Sequence, residues 1–294
     1  MKIIKAPDKL FKDLKKFKIS GKSIGFVPTM GALHAGHLSL IAQARKENKI
    51  VVVSIFVNPK QFGPQEDLKV YPRPLKKDLL LCKKEKVDYV FLPGANALYA
   101  EGFSTYVDVE GLSAVLCGKS RPGHFRGVAT IVTKLFNLVQ PDVAYFGQKD
   151  AQQASIIKKM TKDLNFPVKI KIMPTLREKD GLAMSSRNAY LGKQERKDAL
   201  VLSRALNLAK VLIRGGAKDT VRIISRMKQL ISKNKNAKLD YIAIVDSENL
   251  KPLKIISGNY LIALALNIKK VRLIDNFQGR FSTQSKSVPN MGTL

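Results

Sequence analysis

Two apolar rhythms alternate through the first 174 residues. Uninterrupted β-branched runs, of which residues 50–57 (IVVVSIFV) are the clearest, suit parallel strands buried on both faces. Between such runs lie segments with apolar residues at helical spacing. Val128, Ile131, Val132, Leu135, Phe136 and Val139 mark one helix face, and Pro141 closes that helix. The pattern predicts strands near 23–27, 50–57, 88–92, 143–146 and 168–173, and helices near 37–48, 75–86, 127–140 and 151–164.

Strands alternating with helices argue for an α/β fold: a Rossmann-like parallel sheet with helices on both faces and a ligand crevice at the carboxyl ends of the strands. After Pro174 the texture changes. A polar loop runs to Asn188, helices are predicted at 194–214 and 220–233, and strands near 241–245 and 260–265. These define a smaller C-terminal α+β domain. The expected division is 1–174, 175–277 and a polar, poorly ordered tail at 278–294.

Composition changes this picture little. Hydrophobic residues make up 45% of the 294, with 13 Pro and 19 Gly, an ordinary globular balance. No run approaches the ~18 apolar residues of a membrane helix, and the first 18 residues alternate Lys with apolar positions, unlike a secretory signal. A soluble protein is expected. Cys82 and Cys117 form no C-x-x-C pair, which fits a reducing cytoplasm.

The net charge of +29 raises the possibility of a nucleic-acid or anionic-membrane partner. The lysines are spread through every predicted helix, as in KLFKDLKKFK, with no aromatic-interleaved basic strand. Solvated helix faces account for most of them, so neither partner is expected.

Chemistry concentrates in four stretches, each at a predicted strand end. PTMGALHAGHLSLI (28–41) places His34 and His37 around Gly36 at the start of a helix. Glycine lets the backbone approach a ligand, and the helix start offers N–H groups and the positive end of its dipole to an anion. Imidazolium at this point would neutralise charge on a departing pyrophosphate. A metal pair is disfavoured because the motif holds no acid and the only other histidine is His124. Lys22-Ser23 and Lys119-Ser120 each follow a glycine as in a P-loop, but Lys16 and Ser113 stand where the earlier glycine is required.

FVNPKQF carries Asn58 and Gln61, neutral amides suited to substrate hydroxyls, although an Asn-Pro turn would alone explain Asn58. YFGQKDAQQ carries Lys149 as a phosphate candidate, Gln153, and Asp150, which reads equally as a helix N-cap or a ribose ligand. PTLREKDGLAMSSRN brings Ser185, Ser186 and the planar donor fork of Arg187 to the domain junction, where a lid would exclude water.

Together with RPGHFRGVATIV, these stretches occur in the order found in pantothenate synthetases (pantoate–β-alanine ligases), members of the HxGH nucleotidyltransferase superfamily. The chain resembles that family from about Gly25 to Asn276. The resemblance implies that pantoate and ATP give pantoyl-adenylate and pyrophosphate, and that β-alanine then yields pantothenate and AMP, with Mg²⁺ required. By motif position, Met30, Gly31, Ala32, Leu33, His34, Ala35, Gly36 and His37 would contact ATP, with His37 as proton donor. Gly147, Gln148, Lys149, Asp150, the backbone of Leu176, and Met184, Ser185, Ser186 and Arg187 would complete the ATP site. His34, His37, Lys149 and Arg187 would be catalytic. Gln61 and Gln153, with Asn58, would hold pantoate and β-alanine, and Asp78 would stand near the metal.

The resemblance also implies a cytoplasmic homodimer. Three positions depart from the family pattern: Gln148 for the usual Glu, Pro74 after YPR, and Lys77 before Asp78. Rival readings are an HxGH enzyme that transfers a nucleotide to a phosphate, and a non-catalytic basic module that binds RNA or membrane.

Overall fold

The structure, a computed structural model, describes residues 1–281. Strands β1 (Lys2–Ile4), β2 (Ile24–Thr29), β3 (Ile50–Ile55), β4 (Tyr89–Phe91), β5 (Val143–Gly147) and β6 (Lys169–Met173) form one all-parallel sheet in the order β1-β4-β3-β2-β5-β6. Helices α1 (Pro7–Ile19), α2 (Ala35–Glu47), α3 (Leu75–Lys84), α4 (Ala95–Leu98), α5 (Cys117–Ser120), α6 (His124–Val139) and α7 (Ala151–Asp163) connect them.

The unbroken apolar run of β3 has its explanation in the packing. Ile50 and Val52 enter a core built with α1, α6 and α7, while Val51, Val53 and Ile55 enter another built with α2 and α3. Both sheet faces are covered, so neither set of side chains meets water. Strand β2 leads through α2 to β3 on one side and pairs with β5 on the other. The crevice therefore lies above the carboxyl ends of β2 and β5, where the direction of winding reverses.

The second unit has helices α8 (Lys193–Ala199), α9 (Val201–Arg214) and α10 (Thr220–Ser232) against an antiparallel sheet of β7 (Ala237–Asp246), β8 (Gly258–Ile268) and β9 (Val271–Phe281). Three expectations are corrected here. The helix read at 194–214 is two helices that meet at Leu200. The third strand, β9, is an addition to the predicted elements; its alternating polar residues hide one buried face. The expected tail from 278 overlaps β9, since Gln278 to Phe281 pair with β8; residues 282–294 lie outside the described residues. The two units also share apolar packing, because Val245, Leu250, Leu261 and Ala263 belong to the core that buries α6.

Candidate active site

The loop after β2 is built so that its side chains can meet an anion. Thr29 donates its hydroxyl to Ser54 O (2.8 Å) and accepts the Gly31 N–H (3.1 Å). Gly31 takes φ +82°, a left-handed turn that favours glycine. Asp78, buried on α3, accepts from Ala32 N–H (2.9 Å) and Leu33 N–H (2.8 Å). His34 Nδ1 accepts Gly36 N–H (3.1 Å), and His37 Nδ1 receives His34 N–H (3.4 Å).

The cradle of free N–H groups expected here is thus mostly occupied by the protein itself. What remains for a phosphate is the dipole of α2 and the imidazole Nε2–H groups, because an accepting Nδ1 fixes that tautomer. The rings lie 4.1 Å apart between centroids.

Burial lowers the His34 pKa to about 4, helped by the charge of Lys149, and lowers His37 to about 3, helped by His34. The expected imidazolium pair is corrected: in the free protein both rings are neutral donors. Desolvation disfavours a charge on either ring, and two stacked cations would repel.

A cavity of about 230 Å³ gathers the four sequence stretches. Met30, His34, Gly36, His37, Asn58, Gln61, Gly147, Lys149, Asp150, Gln153, Leu176, Met184, Ser185, Ser186 and Arg187 are among the residues that line it. A larger space of about 810 Å³, lined by β8 and β9 together with loops and helix ends of the first unit, shares Lys149, Asp150, Gln153, Ser185 and Arg187 with it. The crevice is therefore contiguous with the junction of the two units.

Several residues stand in roles other than those expected. Asn58 is buried: it donates to Gln61 Oε1 (3.1 Å) and Gly127 O (3.0 Å) and accepts from Tyr99 OH (2.8 Å) and Lys60 N–H (3.3 Å). Asn58 caps the short turn 59–61, as the turn reading has it, its amide also holds Gln61, and it lines the same cavity. Gln61 Nε2 then has only the weak acceptor Met30 Sδ at 3.0 Å, so a better one would replace it.

Gly127 is required by contact, since a Cβ there would lie 2.1 Å from Lys60 O. Asp150 makes no side-chain cap bond; its carboxylate lies 3.9 Å from Lys149 Nζ. Arg187 does not present a free fork. Its Nε and terminal NH₂ donate to Asp67 at 2.9 and 2.8 Å. Ser186 meets Tyr71 OH at 3.1 Å. Both oxygens of Asp78, expected near the metal, accept backbone N–H groups of the 32–33 turn.

Sequence reasoning missed several supports. His124 Nδ1 meets Gln61 O (2.8 Å) and Arg121 holds Glu66 through two bonds of 2.7 and 2.5 Å, which fixes the loop below Gln61. From β9, Asn276 donates to Gln148 O (2.9 Å) and Lys149 O (2.8 Å), and Asp275 receives both arms of Arg177 at 2.7 and 2.9 Å. The sequence signal was the unbroken polar pair Asp275-Asn276 inside an apolar stretch.

A family model described as Pantoate-beta-alanine ligase matches residues 2–278. The chain belongs to that family. Among curated relatives, a pantothenate synthetase of Caldicellulosiruptor bescii is 56% identical over 262 residues, covering 89% of this chain and 93% of the relative. Another from Thermosipho melanesiensis is 53% identical, covering 94% and 98%. The pantothenate synthetase of Thermus thermophilus superposes with a TM-score of 0.90 at 45% identity, covering 94% of this chain and 99% of that one. A pantoate-beta-alanine ligase from Francisella tularensis, solved with β,γ-ATP and β-alanine, gives 0.76 at 36% identity, covering 94% and 97%. As a member of the pantoate-beta-alanine ligases, the chain is a ligase that forms a C–N bond.

Proposed function

We propose that this enzyme condenses pantoate with β-alanine through a pantoyl-adenylate. A pantoate carboxylate oxygen attacks the α-phosphorus of ATP and pyrophosphate leaves. The β-alanine amine then attacks the acyl carbon and AMP leaves. The observation that carries this reading is the shared cavity, which the two imidazoles, Lys149, Gln61 and Gln153 all line.

In this reading His34, His37 and Lys149 act on the triphosphate. Neutral Nε2–H donors and an ammonium stabilise charge that grows on the leaving pyrophosphate. Gln61, aimed by Asn58, and Gln153, whose side chain stands in the same cavity, hold the pantoate hydroxyls and carboxylate. Gly147–Asp150, Leu176 and Met184–Arg187 enclose the nucleotide. Residues 1–174 form the ATP- and pantoate-binding unit and 175–277 the lid, whose closure keeps water from the adenylate.

Mg²⁺ accompanies ATP. Among the described residues no three His, Cys, Asp or Glu side chains cluster as a metal site, and Asp78 is committed to backbone, so the residues present do not fit a resident ion. Among the described residues no helix is long and apolar enough to cross a membrane; a cytoplasmic homodimer completes the reading by family resemblance.

The test is a product assay. AMP and pantothenate should form in equal amounts only when ATP, pantoate and β-alanine are all supplied. Multiple turnovers of ATP to AMP with either organic substrate omitted would refute the proposal.

A further inference from the structure

Successive residues of a strand point to opposite faces, and β9 uses this at its centre. Ile274 packs with the core of the parallel sheet, whereas Leu273 and Phe277 pack with α9 and α10. Asn276 shares the face of Ile274 and Asp275 that of Leu273. Both are buried, and each is spent on a different wall of the nucleotide crevice.

Asn276 Nδ2 donates to the carbonyls of Gln148 and Lys149, and its Oδ1 lies 3.3 Å from Gln148 Nε2. Asp275 takes the Arg177 guanidinium in a two-bond pair and also accepts the Asn276 N–H at 2.8 Å. Arg177 in turn donates to Gly181 O (3.0 Å) within the hairpin that leads to Ser185 and Arg187. Its ends are joined by Met184 N–H to Leu176 O at 3.0 Å.

We infer that Asn276 is a positioning residue for adenylation: through the carbonyls of Gln148 and Lys149 it fixes the backbone from which the Lys149 ammonium reaches the triphosphate. Its neighbour Asp275, through Arg177, holds the 176–184 hairpin to the same strand. The strand of the smaller unit thereby sets the spacing between the two walls that must meet ATP. A carbonyl pair left without its donor would let the 147–150 turn relax. Misplacement on the order of 1 Å lowers the rate by roughly 100-fold with little effect on groups held elsewhere. This inference rests on the adenylation reading above, and pantoate, held by Gln61 and Gln153, should be bound almost as before.

The experiment measures pyrophosphate exchange into ATP in the presence of pantoate, using wild type, Asn276→Asp, Asn276→Ala, Lys149→Ala and the double variant Asn276→Ala/Lys149→Ala, each with a melting curve. Asn276→Asp keeps the shape but cannot donate to the two carbonyls. The expected result is a fall in kcat of about 10- to 100-fold for each Asn276 variant, with pantoate KM changed by less than about threefold. On the Lys149→Ala background, Asn276→Ala should cost almost nothing further, because the residue through which it acts is gone.

Equal fold-losses on both backgrounds, or unchanged kcat in a folded variant, would overturn the inference. Should the Asn276 variants fail to fold, Asp275→Asn, which loosens the Arg177 clamp and leaves the Asn276 side chain in place, carries the test. It should raise ATP KM and leave pantoate KM unchanged, and an unchanged ATP KM would overturn the coupling. Wild-type protein without pantoate-dependent exchange would instead refute the adenylation reading itself.

Discussion

Gly36 and His34 interlock: the His34 ring accepts the Gly36 N–H, and a Cβ placed on Gly36 would lie 2.9 Å from both Cε1 and Nδ1 of that ring. The glycine in this motif therefore makes room for an imidazole of the protein. The N–H of this glycine is itself taken by the His34 ring, so it is not offered to a ligand.

Replacing Gly36 by Ala separates catalysis from stability. Alanine is the better helix former by up to about 1 kcal/mol, but the displaced ring gives up its cap bond to residue 36, worth about as much, so the melting temperature should change little. The displaced His34 ring should lower the pantoate-dependent exchange rate by roughly 10- to 100-fold. A folded variant with wild-type exchange would show that the ring's placement does not matter.

His37→Ala removes a donor that acts on charge developing in the transition state. Exchange should fall by about 10²- to 10³-fold while pantoate KM moves only slightly. Steady-state kinetics in which both parameters worsen equally would assign the ring to substrate binding.

Asn58 and Gln61 should give different phenotypes despite being hydrogen-bonded neighbours. Asn58→Ala leaves Tyr99 OH, Gly127 O and Gln61 Oε1 without their partner, and should cost about 1–3 kcal/mol of stability. Gln61→Ala removes only one acceptor of the Asn58 amide, so it should lower the denaturation midpoint less than Asn58→Ala and raise pantoate KM. Comparing the two in urea and in kinetics checks the assignment, and a strongly destabilised Gln61→Ala would contradict it.

Acid should weaken the fold through its histidines. Burial lowers His34 to about 4, His37 to about 3 and His124 to about 4, from 6.5. The unfolded chain then binds more protons between pH 6.5 and about 4, so stability is full above 6.5 and is lost as pH falls through that window. His124 is the clearest case. Its Nδ1 meets Gln61 O and its Nε2 lies 3.0 Å from the Arg121 guanidinium, so a second ring proton would face a cation. His124→Asn should flatten the fall in denaturation midpoint between about pH 6.5 and 5; an unchanged slope would mean that His124 is not held neutral.

The parallel sheet was legible because burial on both faces forces long apolar runs such as that of β3. Strand β9 was not, since Arg272, Gln278 and Arg280 break its apolar alternation and its buried pair Asp275-Asn276 imitates a loop. Motif spacing brought His34, His37, Lys149 and Gln61 to one crevice, because each follows the carboxyl end of a parallel strand. It did not reveal which side chains the protein keeps for itself. Asp78, Asn58 and Arg187 carry groups that would suit a ligand, and each is engaged by a partner far along the chain: Leu33, Tyr99 and Asp67. Such pairings depend on tertiary contact, which a local pattern does not encode.

In the proposed mechanism a carboxylate attacks ATP at the imidazole pair before any amine takes part. Isotope exchange between labelled pyrophosphate and ATP, followed without β-alanine, measures that step alone. Label should enter ATP when pantoate is present, stay out when it is omitted, and enter far more slowly in His37→Ala. Label entering only after β-alanine is added, or as readily without pantoate, would contradict that order of events.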